Sequence, residues 1–96
     1  MGFVELEQFT LQPGVDREAF MRLDADVQVW SYLHRDGLIR RTTAFGEGAA
    51  VLVVTLFSGR AEPSANPRGT GDEPLSSFNA TMDPATYTRS VFRDLD

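Results

Sequence analysis

The stretch VLVVTLF, residues 51–57, decides how this chain folds. It is short, apolar and rich in β-branched residues, which is typical of a β-strand. Side chains alternate between the two faces of a strand, and here both sets are almost entirely apolar. A chain of 96 residues has room for one domain and one core. One face of this strand is therefore expected to pack on helices, and the other needs a different cover.

The residues before this stretch predict a strand followed by a helix. Phe3 to Leu11 alternates apolar and polar residues and is closed by the turn signal Pro13-Gly14. Asp16 can cap a helix that ends at Asp36-Gly37. Helical spacing places one set of side chains on a single stripe: Phe20, Leu23, Val27, Trp30 and His34.

A hairpin and a loop surround the apolar stretch. Leu38–Phe45 and Ala49–Ser58 read as two strands, with Gly46-Glu47-Gly48 as the reversal between them. Residues 59–74 hold three Pro and three Gly without a large apolar side chain, which predicts a mobile loop.

The last part of the chain predicts a short helix and a fourth strand. Leu75–Met82 has helical character, Asp83-Pro84 interrupts it, and Ala85–Phe92 reads as a strand. The resulting order is strand, helix, strand, strand, short helix, strand. This order predicts one α+β domain over residues 1–96, with a ferredoxin-like antiparallel sheet and helices on one face only.

The apolar stretch then predicts an interface. We expect one set of its side chains, Leu52, Val54 and Leu56, to face the helices. The other set, Val51, Val53 and Phe57, is expected on the uncovered side of the sheet, where a second copy of the chain would bury it. The alternative is a monomer with a weakly apolar open face.

Composition narrows the classes of partner and cofactor. The net charge is −5, and the nine basic residues are Arg scattered along the chain, so neither nucleic acid nor a membrane is expected as a partner. With no Cys and one His, a metal site is not expected. The first residues lack the pattern of a signal peptide. We expect a cytoplasmic protein without a cofactor.

Three segments resemble the dimeric α+β-barrel superfamily, and within it the antibiotic-biosynthesis-monooxygenase-like group. They are FVELEQFTLQPGVDREAF (3–20), DGLIRRTTAFGEG (36–48) and FNATMDPATYTRSVF (78–92). The resemblance fades across residues 59–74, where members of the group usually begin an Ala-rich second helix. It therefore predicts a shortened second helix.

The resemblance implies a homodimer whose sheets pack face to face, with a cleft in each subunit between sheet and helices for a small apolar or aromatic ligand. Activities known on this scaffold include cofactor-independent oxygenation of aromatic polyketides, haem degradation, polyketide cyclisation and lactone isomerisation. Glu7 stands where haem-degrading members present an Asn, so haem ligation of their kind is not implied. A fold of this kind hosts many functions.

His34 and Trp30 are the first candidate site residues. His34 is the only imidazole and can act as acid or base near neutral pH, although a His at a helix C-terminus also stabilises the helix dipole. Trp30 would offer a flat wall to an aromatic ligand, although a Trp on such a stripe is more often part of the core. Phe20, on the same stripe, would add apolar lining.

The first strand supplies a candidate base. Glu5 and Glu7 alternate onto the same side as Phe3 and Phe9, so Phe9 would line the cleft beside Glu7. Burial in an apolar cleft would raise the pKa of Glu7, as a general base requires. Equally, Glu7 can lie at a wet strand edge or pair with an Arg.

Arg41 and Thr43 are candidates on the second strand. A two-residue turn at Gly46-Glu47 or Glu47-Gly48 would place them opposite the set that we expect to face the helices, whereas a three-residue turn reverses this assignment. Arg41 would then stabilise a ligand oxyanion and Thr43 would line the cleft. Alternatively, Arg41 is an ordinary edge-strand charge.

These residues give two hypotheses for function. The first is a small-molecule-binding homodimer that, if it is an enzyme, acts as a cofactor-independent monooxygenase, cyclase or isomerase. Glu7 or His34 would take a proton, Arg41 would stabilise the oxyanion, and Trp30 would stack on the ring. The second is a non-catalytic binding or assembly module. Whether Glu7 and His34 share a cavity distinguishes the two.

Overall fold

The computed structural model describes residues 2–66 and 71–95. It contains four strands, two α-helices and one turn of 3₁₀ helix, in an order that matches the predicted one. The elements are β1 (Gly2–Thr10), α1 (Arg17–His34), β2 (Leu38–Phe45), β3 (Ala50–Ser58), α2 (Leu75–Ala80), the 3₁₀ turn (Pro84–Thr86) and β4 (Thr88–Arg93).

The four strands form one antiparallel sheet with the spatial order β2-β3-β1-β4. The two central strands are therefore β3, which holds the apolar stretch, and β1. This order is compatible with the ferredoxin-like fold, as the sequence predicts.

Local signals place α1 where the sequence predicts it. Asp16 accepts a hydrogen bond from the backbone N–H of Ala19 at 3.1 Å and so caps the helix. The helix ends at His34, and Gly37 follows with φ of 78°, a conformation that glycine adopts without strain.

The assignment of the two faces of β3 was wrong. Val51, Val53 and Phe57 are buried beneath the helices, whereas Leu52, Val54 and Leu56 lie half-buried on the side that the helices leave open. Both sets are apolar, so the alternation itself could not tell one face from the other. The apolar face that lacks cover is thus the opposite of the predicted one.

The hairpin turn also differs from the two-residue form. Phe45 pairs with Val51, and Gly46 donates a backbone hydrogen bond to the carbonyl of Ala50 at 2.9 Å, which leaves Glu47, Gly48 and Ala49 as the loop. This register places Arg41 opposite Thr55 and Thr43 opposite Val53. Both therefore face the helices, as expected, because the error in the turn and the error in the strand face cancel.

The apolar core occupies one end of the layer between sheet and helices. Phe20 on α1 is fully buried, with its ring centroid 6.2 Å from that of Phe9 on β1 and 5.3 Å from that of Phe78 on α2. Val51 and Val53 complete this cluster from β3. Phe3 and Phe57, at the other end of the central strands, are buried but lie outside it.

The C-terminal half departs from the prediction at its boundaries. Helix α2 ends at Ala80, and the predicted start of the fourth strand is the 3₁₀ turn, in which the side chain of Asp83 accepts a hydrogen bond from the backbone N–H of Ala85 at 3.1 Å. Within the loop predicted over 59–74, residues 67–70 lie outside the described part, and its mobility stays a prediction. Across residues 2–66 and 71–95, no helix is long and apolar enough to cross a membrane.

Candidate functional site

A cluster of charged side chains lies between α1 and the middle of the sheet. Glu5, on the central strand β1, is fully buried. Both of its carboxylate oxygens accept hydrogen bonds from Arg35, at 2.8 and 2.9 Å, and Arg89 on β4 donates a third at 2.8 Å. Two guanidiniums thus converge on one carboxylate, and we call these three residues the Glu5 cluster.

The partners of Glu5 keep it ionised. Burial by itself would raise the pKa of its carboxyl group, but the hydrogen bonds and positive charges of Arg35 and then Arg89 outweigh burial and lower the pKa below its usual value. The carboxylate therefore holds the two guanidiniums in place at neutral pH.

Glu7, two residues along the same face, lies in a different environment. Its side chain is buried and accepts a hydrogen bond from the hydroxyl of Tyr87 at 2.6 Å. Burial, and then the charge of Glu5, raise the pKa of Glu7 above its usual value, although the hydrogen bond from Tyr87 opposes them. The pKa of Glu7 is thus raised, as expected, and the side chain that hydrogen-bonds to it is a Tyr and not an Arg.

Arg41 is fixed to α1 and not exposed at an edge. It is buried and forms an ion pair with Asp24 at 2.8 Å, and Asp24 also accepts a hydrogen bond from the hydroxyl of Thr43 at 2.8 Å. The Nε of Arg41 and the hydroxyl of Thr55, opposite each other across β2 and β3, are buried without a hydrogen-bond partner among the described residues. Arg41 therefore ties the helix to the sheet.

A pocket of about 530 Å³ opens at the end of α1 that lies away from the apolar core. The ring of Trp30 stacks on that of His34, with centroids 4.8 Å apart and planes inclined by 17°. Phe57 also lines the pocket, with the guanidinium of Arg35 4.7 Å from its ring centroid. Aromatic surface and a positively charged donor from the Glu5 cluster thus meet in one pocket.

Residues 61–65 form another wall of this pocket. The carbonyl of Ser64 accepts a hydrogen bond from Nη2 of Arg35 at 2.6 Å, and the carbonyl of Pro63 accepts one from Nη2 of Arg89 at 2.9 Å. The Glu5 cluster therefore also holds the loop against the pocket.

The predicted site residues are divided among different places. Trp30 and His34 line the pocket, but Glu7 and Arg41 do not, so His34 and Glu7 do not share the single cleft that we expected. Each has its own contact: Nδ1 of His34 lies 2.9 Å from the carbonyl oxygen of Trp30, and Glu7 binds Tyr87.

The predicted lining residues are also separated from the pocket. Phe20 and Thr43 border a second depression of about 490 Å³ between α1 and β2. Phe9 belongs to the apolar core. Phe20 also contacts Phe9 in this core, so none of these three predicted lining residues reaches the pocket beside Trp30.

Sequence reasoning missed the Glu5 cluster, and only part of its signal is in the sequence. Glu5 alternates with Glu7, so a polar stripe on β1 was visible. Arg35, next to the helix end, suggested only a favourable interaction with the helix dipole. Its contact with Glu5 joins residues 30 positions apart, and the contact of Arg89 joins residues 84 apart, which local patterns do not predict.

Comparison with known proteins finds no relative of this chain. No protein-family model matches the chain, and no curated protein and no solved structure is significantly similar to it. The four-stranded antiparallel sheet with its two helices is compatible with the ferredoxin-like fold. The resemblance to the antibiotic-biosynthesis-monooxygenase-like group is not confirmed.

Proposed function

We propose that this protein binds a small, flat and largely apolar molecule in the pocket beside Trp30. The observation that carries the proposal is the composition of that pocket: the rings of Trp30 and Phe57 and the guanidinium of Arg35 line one space. Its volume of about 530 Å³ falls within the range of about 300–1,000 Å³ that is typical of small-molecule sites. The aromatic rings favour a flat aromatic ligand, and the guanidinium favours one that carries an acceptor oxygen.

The proposal includes a homodimer, because the open face of the sheet is apolar. Its side chains include Val4, Leu6, Leu52, Val54, Leu56 and Phe92, and Phe92 is 56% exposed. The four strands are nine, eight, nine and six residues long, and at about 4.8 Å by about 3.4 Å per residue they span about 520 Å². Two such faces together bury about 1,000 Å², which is about the lower limit of a specific interface. A second copy of the chain would present the same apolar face, as a twofold interface requires.

Trp30 allows a direct test, because it is the only tryptophan of the chain. Flat aromatic compounds should quench its fluorescence in a saturable way. Replacement Trp30→Leu should weaken their binding roughly ten-fold in calorimetry, since a stacking surface is lost. The matched control is Tyr32→Leu, an aromatic residue of the same helix that is 47% exposed. Equal effects of the two replacements, or no binding at all, would contradict the proposal.

A second candidate function is proton transfer to or from the bound molecule, as in a cofactor-independent monooxygenase, cyclase or isomerase. The observation that favours it is the contact of Nδ1 of His34 with the carbonyl oxygen of Trp30. A carbonyl only accepts hydrogen bonds, so in the neutral ring this contact places the proton on Nδ1 and leaves the lone pair on Nε2. His34 would then be the base at the pocket, in place of Glu7.

Replacement His34→Gln tests this second function. It removes the basic nitrogen while keeping a polar side chain of similar length, so turnover should fall by a factor of about 100 or more while ligand affinity changes little. Glu7→Gln serves as the comparison, because Glu7 lies away from the pocket. If neither replacement affects turnover of a compound that binds, or if no bound compound is converted, the non-catalytic function is the better description.

A further inference from the structure

In the loop wall of the pocket, the backbone carbonyls of two consecutive residues accept hydrogen bonds from two guanidiniums. Nη2 of Arg89 donates to the carbonyl of Pro63, and Nη2 of Arg35 donates to that of Ser64. Nη2 of Arg35 also donates to Glu5, as does Nη1, whereas Arg89 binds Glu5 through its Nε. The loop's own uncharged oxygens thus occupy one donor position in the pocket, on Arg35, and one behind its loop wall, on Arg89.

The guanidiniums are held more firmly than the loop. Arg35 is fixed by its paired hydrogen bonds to Glu5 and by packing over Phe57, and Arg89 is fixed by its Nε contact with Glu5. By contrast, four of residues 61–65 are exposed and Pro63 is half-buried, so no fully buried side chain anchors that segment. The donors would therefore remain in position if the loop moved away.

The charges around these donors favour an uncharged ligand. Asp36 lines the same pocket, and Glu5 lies behind it. When residues 61–65 move away and take Glu62 with them, two guanidiniums and two carboxylates remain, with no local net charge. An anionic ligand would meet no net positive charge and would lie near the carboxylate of Asp36, whereas a neutral carbonyl or hydroxyl oxygen accepts the same hydrogen bonds without that repulsion.

We propose that Arg35 and Arg89 bind two neighbouring acceptor oxygens of an uncharged aromatic ligand, and that the carbonyls of Pro63 and Ser64 occupy these positions when the ligand is absent. The inference rests on the proposed function and names the ligand class. It also gives the loop a role opposite to that of a closing lid, because the ligand displaces residues 61–65 and does not draw them in.

Three naphthalene compounds test the ligand class by calorimetry. The neutral probe 3-hydroxy-2-naphthamide carries neighbouring acceptor oxygens and should bind at least ten-fold more tightly than 2-methylnaphthalene, which has none. It should also bind more tightly than the anionic 3-hydroxy-2-naphthoate. If all three bind at Trp30 with equal affinity, the proposed function stands and this inference is overturned. If none binds, both fail.

Trypsin cleavage after Arg60 tests the displacement. Bound 3-hydroxy-2-naphthamide should accelerate this cleavage several-fold, because the loop loses its contacts with the two guanidiniums. Slower cleavage after Arg60 with the compound bound would identify the loop as a lid. An unchanged rate of cleavage would show that the ligand does not move the loop. Either result overturns the displacement.

Replacement Arg89→Lys tests whether the guanidinium of Arg89 donates hydrogen bonds to the ligand. Lysine keeps a positive charge for Glu5, but its single ammonium group does not reproduce the forked donors of arginine. We expect about ten-fold weaker binding of the naphthamide, unchanged binding of 2-methylnaphthalene, and faster cleavage after Arg60 without ligand. The control is Arg93→Lys, two residues along β4, where the guanidinium packs over Phe3. An equal response of both variants would contradict a specific role for Arg89.

Discussion

Replacement Glu5→Gln is expected to lower the free energy of unfolding by about 3–5 kcal/mol at pH 7. Glu5 is the carboxylate that Arg35 and Arg89 share, and the side chain of Arg35 is only 7% exposed. Glutamine fits the same space but carries no charge, so both guanidiniums would remain in the interior without their counter-ion. Urea unfolding followed by circular dichroism measures the change.

Replacement Glu7→Gln is expected to change the free energy of unfolding in the opposite direction. Burial raises the pKa of Glu7, so the folded protein holds this proton more tightly than the unfolded chain and the ionised carboxylate costs stability at neutral pH. Glutamine removes the charge and keeps an oxygen that can accept from Tyr87. Glu7→Gln should therefore raise the free energy of unfolding at pH 7.

The pH dependence of the free energy of unfolding shows whether charge causes the effects of the two substitutions. The stability contributed by Glu5 is present above the unfolded pKa of about 4.3 and is lost as the pH falls through its lowered folded pKa, so the Glu5→Gln penalty should shrink at acid pH. The cost of ionised Glu7 is present above its raised folded pKa and disappears as the pH falls toward about 4.3. Equal, pH-independent effects of both substitutions would show that packing, not charge, governs them.

Replacement Val54→Lys is expected to convert a homodimer into a monomer. Val54 lies on β3 in the middle of the open face, beside Leu6 on β1, so the proposed interface would bury its ammonium group in apolar surroundings. The dissociation constant should rise roughly a hundred-fold or more. Light scattering should then change from about twice 10.6 kDa to 10.6 kDa.

The control for this experiment is Met21→Lys on the outer face of α1. Met21 is 55% exposed, so its replacement introduces the same charge on a surface outside the proposed interface. It should leave the mass of the dimer unchanged. A wild-type protein that is already monomeric at micromolar concentration would contradict the homodimer, while leaving the pocket beside Trp30 to be tested separately.

The candidate site could be predicted only in part. The helical stripe correctly indicated that Trp30 and His34 lie near each other, because residues four apart share a face of a helix. It did not show that His34 lies away from Glu7, since that relation depends on where α1 crosses the sheet. The raised pKa of Glu7 followed from burial, whereas the lowered pKa of Glu5 depends on Arg35 and Arg89, which come from other parts of the chain.

The sequence by itself determined the elements and their order, because capping, periodicity and turn residues act over a few positions. Asp16, the stripe through Phe20 and Val27, and the glycines near residue 47 place α1 and the β2–β3 hairpin. Only the tertiary structure decided which face of VLVVTLF meets the helices. Both faces are apolar, so the choice rests on the three-residue turn and on the pairing with β1, whose buried face carries Glu5 and Glu7. These carboxylates lie inside because guanidiniums and a tyrosine distant in sequence meet them there, and such long-range pairing is not contained in any local pattern.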